Sequence, residues 1–317
     1  MGIVGTVVKE LRDGDRVIPF HGQPIEALWL LPHDKCMTKS FTPVHFHAIS
    51  FATCMNKHAH NQHITNHHEK WGLMEHHLKV LKLPTFVRDY ASVAAACAQE
   101  RCDYPAYLLR LTERELIERE RKAAERRIKD ARFPVIKTIG SFDFKAQSSI
   151  NEPLVLEHLV GEYITRRENV LLVGNPGTGK THLATALGHM ACAQGRRVRF
   201  MTTSGLVTQL LEAREDRSLR RLLKQMERIE LLILDELGYV PFSKAGAELL
   251  FDVISRAYER TSVIITTNLP FENWTEVLGS ERLTGAMLDR LTHRVHILEA
   301  NGESYRLKDA KARLKRR

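Results

Sequence analysis

Apolar and polar residues change their spacing twice along the chain. Residues 1–73 show little helical periodicity, whereas apolar residues recur at roughly helical spacing from Met74 to Ala131. From about residue 135, short apolar runs alternate with amphipathic stretches, which is typical of a parallel α/β sheet. These changes predict four parts, namely 1–73, 74–131, 132–304 and a basic tail over 305–317.

Five of the apolar runs have the length and composition of strands that helices cover on both faces. The predicted strands are Val170–Val173, Val198–Met201, Leu231–Leu234, Val263–Thr266 and Val295–Leu298. Gly195 is placed to end the helix that follows the first of them. The predicted fold class is therefore α/β, with a five-stranded parallel sheet flanked by helices and a helical domain ahead of it.

Within that helical domain, a second helix is expected to begin at Thr112, with Glu115 as its capping-box partner. Opposite charges four residues apart, such as Glu118–Lys122, support the helix. Phe133-Pro134 is expected to end it. Its arginines form a stripe that faces either solvent or DNA. The stripe comprises Arg114, Arg121, Arg126 and Arg127.

The net charge of +9 agrees with a polyanionic partner such as nucleic acid. The five cysteines are scattered and form no CxxC pair, which predicts reduced thiols in a cytoplasmic protein. No apolar run approaches the length of a membrane span. Charges at Lys9, Glu10 and Arg12 come too early for a signal peptide, so the composition favours a cytoplasmic, DNA-associated protein.

Histidines are concentrated in the first 73 residues. The clustered ones are His58, His60, His63, His67 and His68. Such a cluster is either a solvated polar segment or a metal site, and no carboxylate or thiolate spacing completes a recognisable metal site. We assign no function to this segment.

The chemistry of the chain begins with a G-x-x-x-x-G-K-T loop between the first predicted strand and a helix. Its glycines allow several N–H groups to face one anion, and the helix N-terminus adds partial positive charge. Lys180 is expected to reach the β- and γ-phosphates, and the Thr181 hydroxyl to hold Mg²⁺. The residues predicted to bind the nucleotide are Gly174, Asn175, Pro176, Gly177, Thr178, Gly179, Lys180, Thr181, His182 and Asp235.

Further polar residues follow later strands at the edge where such sheets bind ligands. Asp235 is expected to orient Mg²⁺, and Glu236 to polarise the water that attacks the γ-phosphate. Asn268, at the end of the next strand, is the predicted sensor between that water and the phosphate. Arg290 is predicted to reach a neighbouring subunit's γ-phosphate, with Arg282 as its competitor and a surface pair with the preceding aspartate as the alternative.

Together these residues resemble those of AAA+ ATPases of the initiator and helicase-loader clade. Over about residues 74–308 the chain resembles the IstB-type transposition helper ATPases of bacterial insertion sequences. The resemblance rests on Phe133-Pro134, Phe142-Asp143-Phe144, Arg166-Arg167-Glu168-Asn169, Asp235-Glu236-Leu237-Gly238-Tyr239, Thr267-Asn268-Leu269-Pro270-Phe271, Trp274, Leu288-Asp289-Arg290-Leu291 and Gly302-Glu303-Ser304-Tyr305-Arg306.

The resemblance implies an ATPase that uses ATP and Mg²⁺, binds duplex DNA, forms nucleotide-dependent homo-oligomers and stimulates an IstA-type transposase. Residues 1–73 have no counterpart in that family pattern. The sequence after the last strand is too short for the helical lid of most AAA+ proteins, a departure that the IstB family shares. Without a lid, Arg306 is the candidate for a second arginine sensor.

The stretch 204–228 is longer than a simple crossover helix and resembles the helical insertion of the initiator clade. Its basic residues are candidates for phosphate contacts with DNA, and acidic neighbours leave a solvated helix pair as the alternative. The candidates are Arg214, Arg217, Arg220, Arg221 and Lys224.

Three functions fit these patterns. The first is an ATP-hydrolysing transposition helper that prefers duplex DNA. The second is a DnaC-like replicative helicase loader, which should prefer single strands. The third is a DNA scaffold that uses ATP only to assemble, against which Glu236 and Asn268 argue because a pure switch has no need to position water.

Overall fold

The computed structural model describes residues 62–315. The chain separates into two units, Met1–Met74 and Glu75–Arg317. Helix α1 spans Gln62–Val80, and its first part is the described part of the first unit. The predicted boundary at Met74 lies inside this helix. The histidine cluster predicted as a polar segment or metal site lies outside the residues whose side chains are described. The four predicted domain boundaries stay predictions.

Two helices follow α1 and form a small packed pair, α2 (Pro84–Glu100) and α3 (Tyr104–Ala131). Their contact is apolar because each buries one face against the other. The buried residues are Phe86, Val93, Cys97 and Leu111. Asp103 caps α3 by accepting a hydrogen bond from the Ala106 N–H at 2.9 Å. A helical domain ahead of the sheet is confirmed.

The predicted capping box is wrong. Thr112 lies inside α3, and its hydroxyl donates to the Leu109 carbonyl at 2.7 Å. Glu115 is 4% exposed, and its carboxylate accepts the Thr85 N–H at 2.9 Å in the first turn of α2. Glu115 therefore caps a different helix. The spacing of Thr112 and Glu115 matches the capping-box motif, but in the folded chain Glu115 accepts its hydrogen bond from Thr85, thirty residues earlier.

The second unit contains one parallel sheet in the order β2-β3-β4-β1-β5. The strands are β1 (Asn169–Gly174), β2 (Val198–Thr202), β3 (Leu231–Leu237), β4 (Ser262–Thr267) and β5 (Val295–Ala300). The remaining helices are α4 (Glu152–Leu159), α5 (Glu162–Arg166), α6 (Lys180–Ala193), α7 (Thr203–Glu215), α8 (Leu219–Met226), α9 (Lys244–Ala257), α10 (Trp274–Leu278), α11 (Glu281–Thr292) and α12 (Tyr305–Lys315).

All five predicted strands are confirmed, and each extends one to three residues beyond a predicted end. Gly195 follows the end of α6 with φ of +90°, as expected for the residue that ends it. The outer strand β5 differs from the expectation, because Ile297 on it is 43% exposed. A strand at the edge of the sheet has one neighbour and is covered less completely than the central strands.

Side chains alternate between two apolar layers because successive residues of a strand face opposite sides of the sheet. On β1, Val170 and Leu172 pack into one layer and Leu171 into the other. The end of α3 belongs to the first layer through Ala131. Arg127 of α3 also donates to the Cys192 carbonyl of α6 at 2.8 Å. The long helix α3 therefore joins the helical pair to the sheet.

Strand β1 lies between β4 and β5, and β4 lies between β1 and β3. The carboxyl ends of β1, β3 and β4 consequently meet at one edge, where parallel sheets bind ligands. Within residues 62–315, only α12 follows β5. The same described part of the chain contains no helix long and apolar enough to cross a membrane.

The capping role of Glu115 predicts unequal effects of two substitutions in α3. Glu115→Ala leaves the buried Thr85 N–H without its acceptor and should lower the free energy of unfolding by about 1–3 kcal/mol. Thr112→Ala should change it by less than about 0.5 kcal/mol, because the hydroxyl caps nothing. Urea unfolding of the full chain, followed by circular dichroism, measures both. A larger loss for Thr112→Ala would contradict the assignment.

Candidate nucleotide-binding site

The G-x-x-x-x-G-K-T loop leaves β1 and enters α6, as predicted. Gly174 and Gly177 have φ of +145° and +79°, a region that other residues rarely adopt. A Cβ at Gly174 would lie 2.2 Å from the Ala300 carbonyl oxygen of β5, and one at Gly177 would lie 2.2 Å from the Ser304 hydroxyl. The loop is therefore built against the strand and turn that precede α12.

The Lys180 ammonium lies on the loop's own carbonyl groups. It donates to the carbonyl oxygens of Gly174 at 2.8 Å and Asn175 at 2.7 Å, and the residue is 6% exposed. Burial lowers the pKa of Lys180 to about 8, an effect that Asp235 opposes and Arg306 reinforces. A buried ammonium without a carboxylate in contact is stabilised by an anion, so the site is prepared for phosphate.

Thr181 and Asp235 are in contact at the start of α6. The Thr181 hydroxyl donates to Asp235 Oδ1 at 3.0 Å, and the Thr266 hydroxyl of β4 donates to the same oxygen at 2.5 Å. Asp235 is 4% exposed and lies behind Thr181, outside the wall of the cavity described below. This donor set fits Mg²⁺, which the Thr181 hydroxyl and the Asp235 carboxylate would hold.

Glu236 sits on a bulge in β3. The register between β3 and β4 shifts between Leu234 and Leu237, and Glu236 has φ of +59°. Its N–H donates to the Thr266 hydroxyl at 3.0 Å. Bulges redirect a side chain next to active sites, and here the exposed Glu236 carboxylate lines the cavity instead of following the strand's alternation.

Asn268 lines the same cavity as Glu236, just beyond the end of β4. It is half-buried, and its amide forms no hydrogen bond with any residue in the described range. An amide that is free next to a carboxylate can hold a water molecule between them. The structure thus brings the two residues together, while the sensor role of Asn268 stays a prediction.

These residues line a cavity of about 470 Å³. His182 is part of its wall, where its Nε2 lies 3.0 Å from the Thr138 carbonyl oxygen and 3.2 Å from the Ser141 hydroxyl. Other wall residues come from the segment after α3, from the loop after β3 and from α12, and sequence patterns did not predict most of them. They are Pro134, Val135, Lys137, Ser141, Phe142, Asp143, Gln147, Tyr239, Tyr305 and Arg306.

Arg290 is not part of this wall. Its guanidinium donates to the Ala286 carbonyl at 2.8 Å and lies 4.7 Å from the centre of the Phe251 ring. It forms no ion pair with Asp289, so the alternative of a surface pair is absent from this described segment. Arg306, the candidate second sensor, does lie in the cavity wall.

The basic candidates for DNA contact lie on the helix pair α7–α8, away from the cavity. All are exposed, and none has an ion-pair partner among residues 62–315. They are Arg214, Arg217, Arg220, Arg221 and Lys224. Of the predicted arginine stripe on α3, by contrast, Arg114 and Arg121 pair with carboxylates and Arg127 is bound to α6.

A basic groove that the sequence did not reveal lies next to α8. It is a cavity of about 770 Å³ along the edge strand β2. Its basic lining residues come from the end of α3, from the start of β2 and from the turn after α8, which are far apart in the sequence. They are Lys129, Arg132, Arg197, Arg199 and Arg228. Burial lowers the pKa of Arg199, and the Arg132 charge lowers it further.

Known proteins similar to this chain were found by sequence and by structure. The family model described as IstB-like ATP binding protein matches residues 76–313. An ATP-binding protein of insertion sequence IS5376 from Geobacillus stearothermophilus is 39% identical over 229 residues, which are 72% of this chain and 91% of that protein. An ATP-binding protein of insertion sequence IS21 from Pseudomonas aeruginosa is 39% identical over 232 residues, 73% of this chain and 88% of that protein.

A crystal structure of the DnaC helicase loader aligns with 47% of this chain and 87% of its own, with 22% identity and a TM-score of 0.41. The sequence matches are more extensive than this structural one. The family model covers most of the chain, and both relatives are 39% identical along most of their length. The chain therefore belongs to the family of IstB-like ATP-binding proteins.

Proposed function

We propose that the protein hydrolyses ATP and acts as a helper in DNA transposition, assembling on duplex DNA and stimulating a partner transposase of the IstA type. The observation that carries the ATPase proposal is that Glu236, on the bulge of β3, and Asn268, after β4, both line the phosphate-loop cavity. The role in transposition is supported by the relatives, which are named as ATP-binding proteins of insertion sequences. Free thiols at Cys97 and Cys192 support a cytoplasmic location.

In this proposal the loop N–H groups and Lys180 bind the phosphates of ATP. Thr181 and Asp235 would hold Mg²⁺, which would neutralise phosphate charge. Glu236 accepts a hydrogen bond from the attacking water and takes its proton as the water oxygen bonds to the γ-phosphorus. The bond from that phosphorus to the β,γ-bridging oxygen breaks in the same step, and ADP leaves with that oxygen. Asn268 orients that water. The hydroxyl of Thr266 fixes both partners, because it donates to Asp235 and accepts from the Glu236 N–H.

The last contribution comes from a second subunit. Arg290 lies outside the cavity wall of its own chain and is held by Phe251 and a backbone carbonyl. An arginine that projects from one subunit into the site of the next stabilises transition-state charge only in the assembled protein. Hydrolysis is then coupled to assembly, and the oligomer closes each site with a residue from its neighbour.

The DNA contact in this proposal combines the basic groove with one face of α8. Arg221 and Gln225 are four residues apart and share a face of α8, and Arg228 lies in the turn just after this helix. Gln225 and Arg228 line the groove. The basic side chains of α8 therefore continue into those of β2 and α3. A surface of this kind binds phosphates without selecting a base sequence.

The trans-acting role of Arg290 is tested by mixing two inactive variants. Arg290→Ala should bind ATP normally but lose about 10³-fold or more in turnover. Lys180→Ala should lose ATP binding. An equal mixture should recover about a quarter of wild-type turnover, because half of the sites keep Lys180 and half of those adjoin an intact Arg290.

Steady-state phosphate release and binding of a fluorescent ATP analogue measure these effects. Arg282→Ala is the control and should keep wild-type turnover. Wild-type turnover in Arg290→Ala would remove this arginine from the mechanism. A mixture that stays inactive although its subunits assemble would exclude action across the interface.

The groove predicts a salt-dependent loss of DNA binding when its charges are reversed. Arg132→Glu combined with Arg228→Glu should weaken binding to duplex DNA at least about tenfold and lower the slope of log affinity against log salt by about two. ATP affinity should not change, because neither residue lines the nucleotide cavity.

The matched control reverses Arg166 and Arg256 and so changes the net charge equally. Both guanidiniums are exposed and already have carboxylate partners. Fluorescence anisotropy with a labelled duplex at several salt concentrations measures all three proteins. Equal losses in both double variants would mean that net charge, and not the groove, determines binding.

A further inference from the structure

The first half of helix α3 carries an exposed apolar stripe. Leu109 and Leu116 are 57% and 61% exposed and lie seven residues apart, which places them on one face of the helix. Glu113 lies between them on that face, is exposed, and has no ion-pair partner within residues 62–315. Large apolar side chains that recur on one exposed face indicate a surface for another protein element. Leu109, Glu113 and Leu116 are called the α3 stripe below.

The α3 stripe continues a face that is already packed elsewhere on the same helix. Arg127 follows Leu116 by eleven residues, about three helical turns, and so lies on the same face. Its guanidinium donates to the Cys192 carbonyl of α6 at 2.8 Å. At its C-terminal end α3 therefore turns this face to the sheet domain, and toward its N-terminal end the same face is open. An open continuation of a packed surface favours a protein occupant over a small ligand.

Helix α12 presents the same spacing with the opposite charge. Leu307 and Leu314 are 58% and 73% exposed and lie seven residues apart. Lys311 lies between them, is exposed, and has no ion-pair partner among the side chains that the structure describes. With the leucines of the two helices in contact, Lys311 would face Glu113 whether the helices run parallel or antiparallel, because each charge lies between two leucines.

We infer that α12 of one copy of this chain docks on the α3 stripe of a second copy. Within one chain the leucines of both helices are exposed, so the two faces do not cover each other there. Leucine packing would remove both apolar faces from water, and the pair of Glu113 and Lys311 would fix their register. This inference rests on the proposed assembly of the protein and names a surface through which its copies meet.

The docking helix begins at the nucleotide site. The N–H of Tyr305, the first residue of α12, donates to the Gly177 carbonyl of the phosphate loop at 2.9 Å. Tyr305 and Arg306 also line the nucleotide cavity. A bound nucleotide would thus touch the helix that docks on the neighbouring copy. A contact of two leucines and one ion pair on each side is small, so it contributes through its repetition in an assembly.

Charge exchange between the two helices tests this contact. The full-length proteins are wild type, Glu113→Lys, Lys311→Glu, the double variant with both changes, and an equal mixture of the two single variants. Each is titrated with duplex DNA, Mg²⁺ and an ATP analogue that is not hydrolysed, and light scattering gives the protein concentration of half-maximal assembly. Both positions are exposed, so the variants should fold.

Glu113→Lys and Lys311→Glu should each raise that concentration at least about threefold, because each places like charges opposite one another. The two changes shift net charge in opposite directions, so a shared loss cannot come from net charge. The double variant should return to within about twofold of wild type. The mixture should recover as well, because each variant finds the opposite charge on copies of the other.

The apolar part of the contact is tested by shortening the leucines of the α3 stripe. Leu109→Ala combined with Leu116→Ala should raise the concentration of half-maximal assembly about tenfold. Leu108→Ala is the matched control, because Leu108 is 54% exposed but lies three residues before the buried Leu111, on the side of α3 that packs against α2. The control should assemble like wild type.

Wild-type assembly by both single charge variants would overturn the inference and leave the proposed assembly intact. Recovery in the double variant but not in the mixture would place the contact within one chain and exclude docking between copies. Stronger assembly of Glu113→Lys with weaker assembly of Lys311→Glu would assign α12 to DNA instead. Wild-type protein that binds the analogue but never assembles would contradict both this docking and the proposed function.

Discussion

A single carboxylate oxygen joins the elements on which the site depends. Asp235 Oδ1 of β3 accepts from Thr181 at the start of α6 and from Thr266 of β4. Because the group is almost fully buried, losing either donor would leave a charge with too few partners. The same Thr266 hydroxyl accepts a hydrogen bond from the Glu236 N–H, so the interaction that holds Asp235 also fixes the bulge that carries Glu236.

Features that depend on residues close together in the sequence are predicted best. The five strands and the phosphate loop follow from short apolar runs and glycine spacing, and the structure has them where they were expected. Glu115 shows the limit of such patterns, because its partner Thr85 comes from another helix. The bulge at Glu236 and the basic groove have no local signal either, since both arise from register and from segments distant in the sequence.

The end of α3 connects the two surfaces of the proposed function. Arg132 lines the basic groove, and Pro134, two residues later, lines the nucleotide cavity. The segment that follows continues along the cavity through Phe142 to Gln147, which binds the turn before α12. A nucleotide bound in the cavity would contact the segment from Pro134 to Gln147. It would thereby also restrict the position of Arg132, which lines the groove. ATP and DNA are then expected to strengthen each other's binding, since coupling between sites is reciprocal.

In the proposed function, ATP drives assembly on duplex DNA. Light scattering after gel filtration of the Glu236→Gln variant tests it most directly, because a protein that binds ATP without hydrolysing it should remain assembled. Duplex and single-stranded DNA of one sequence are compared with and without ATP and Mg²⁺. Large complexes should form on duplex DNA only when ATP is present. Equal assembly on single strands, or assembly that ignores ATP, would contradict it.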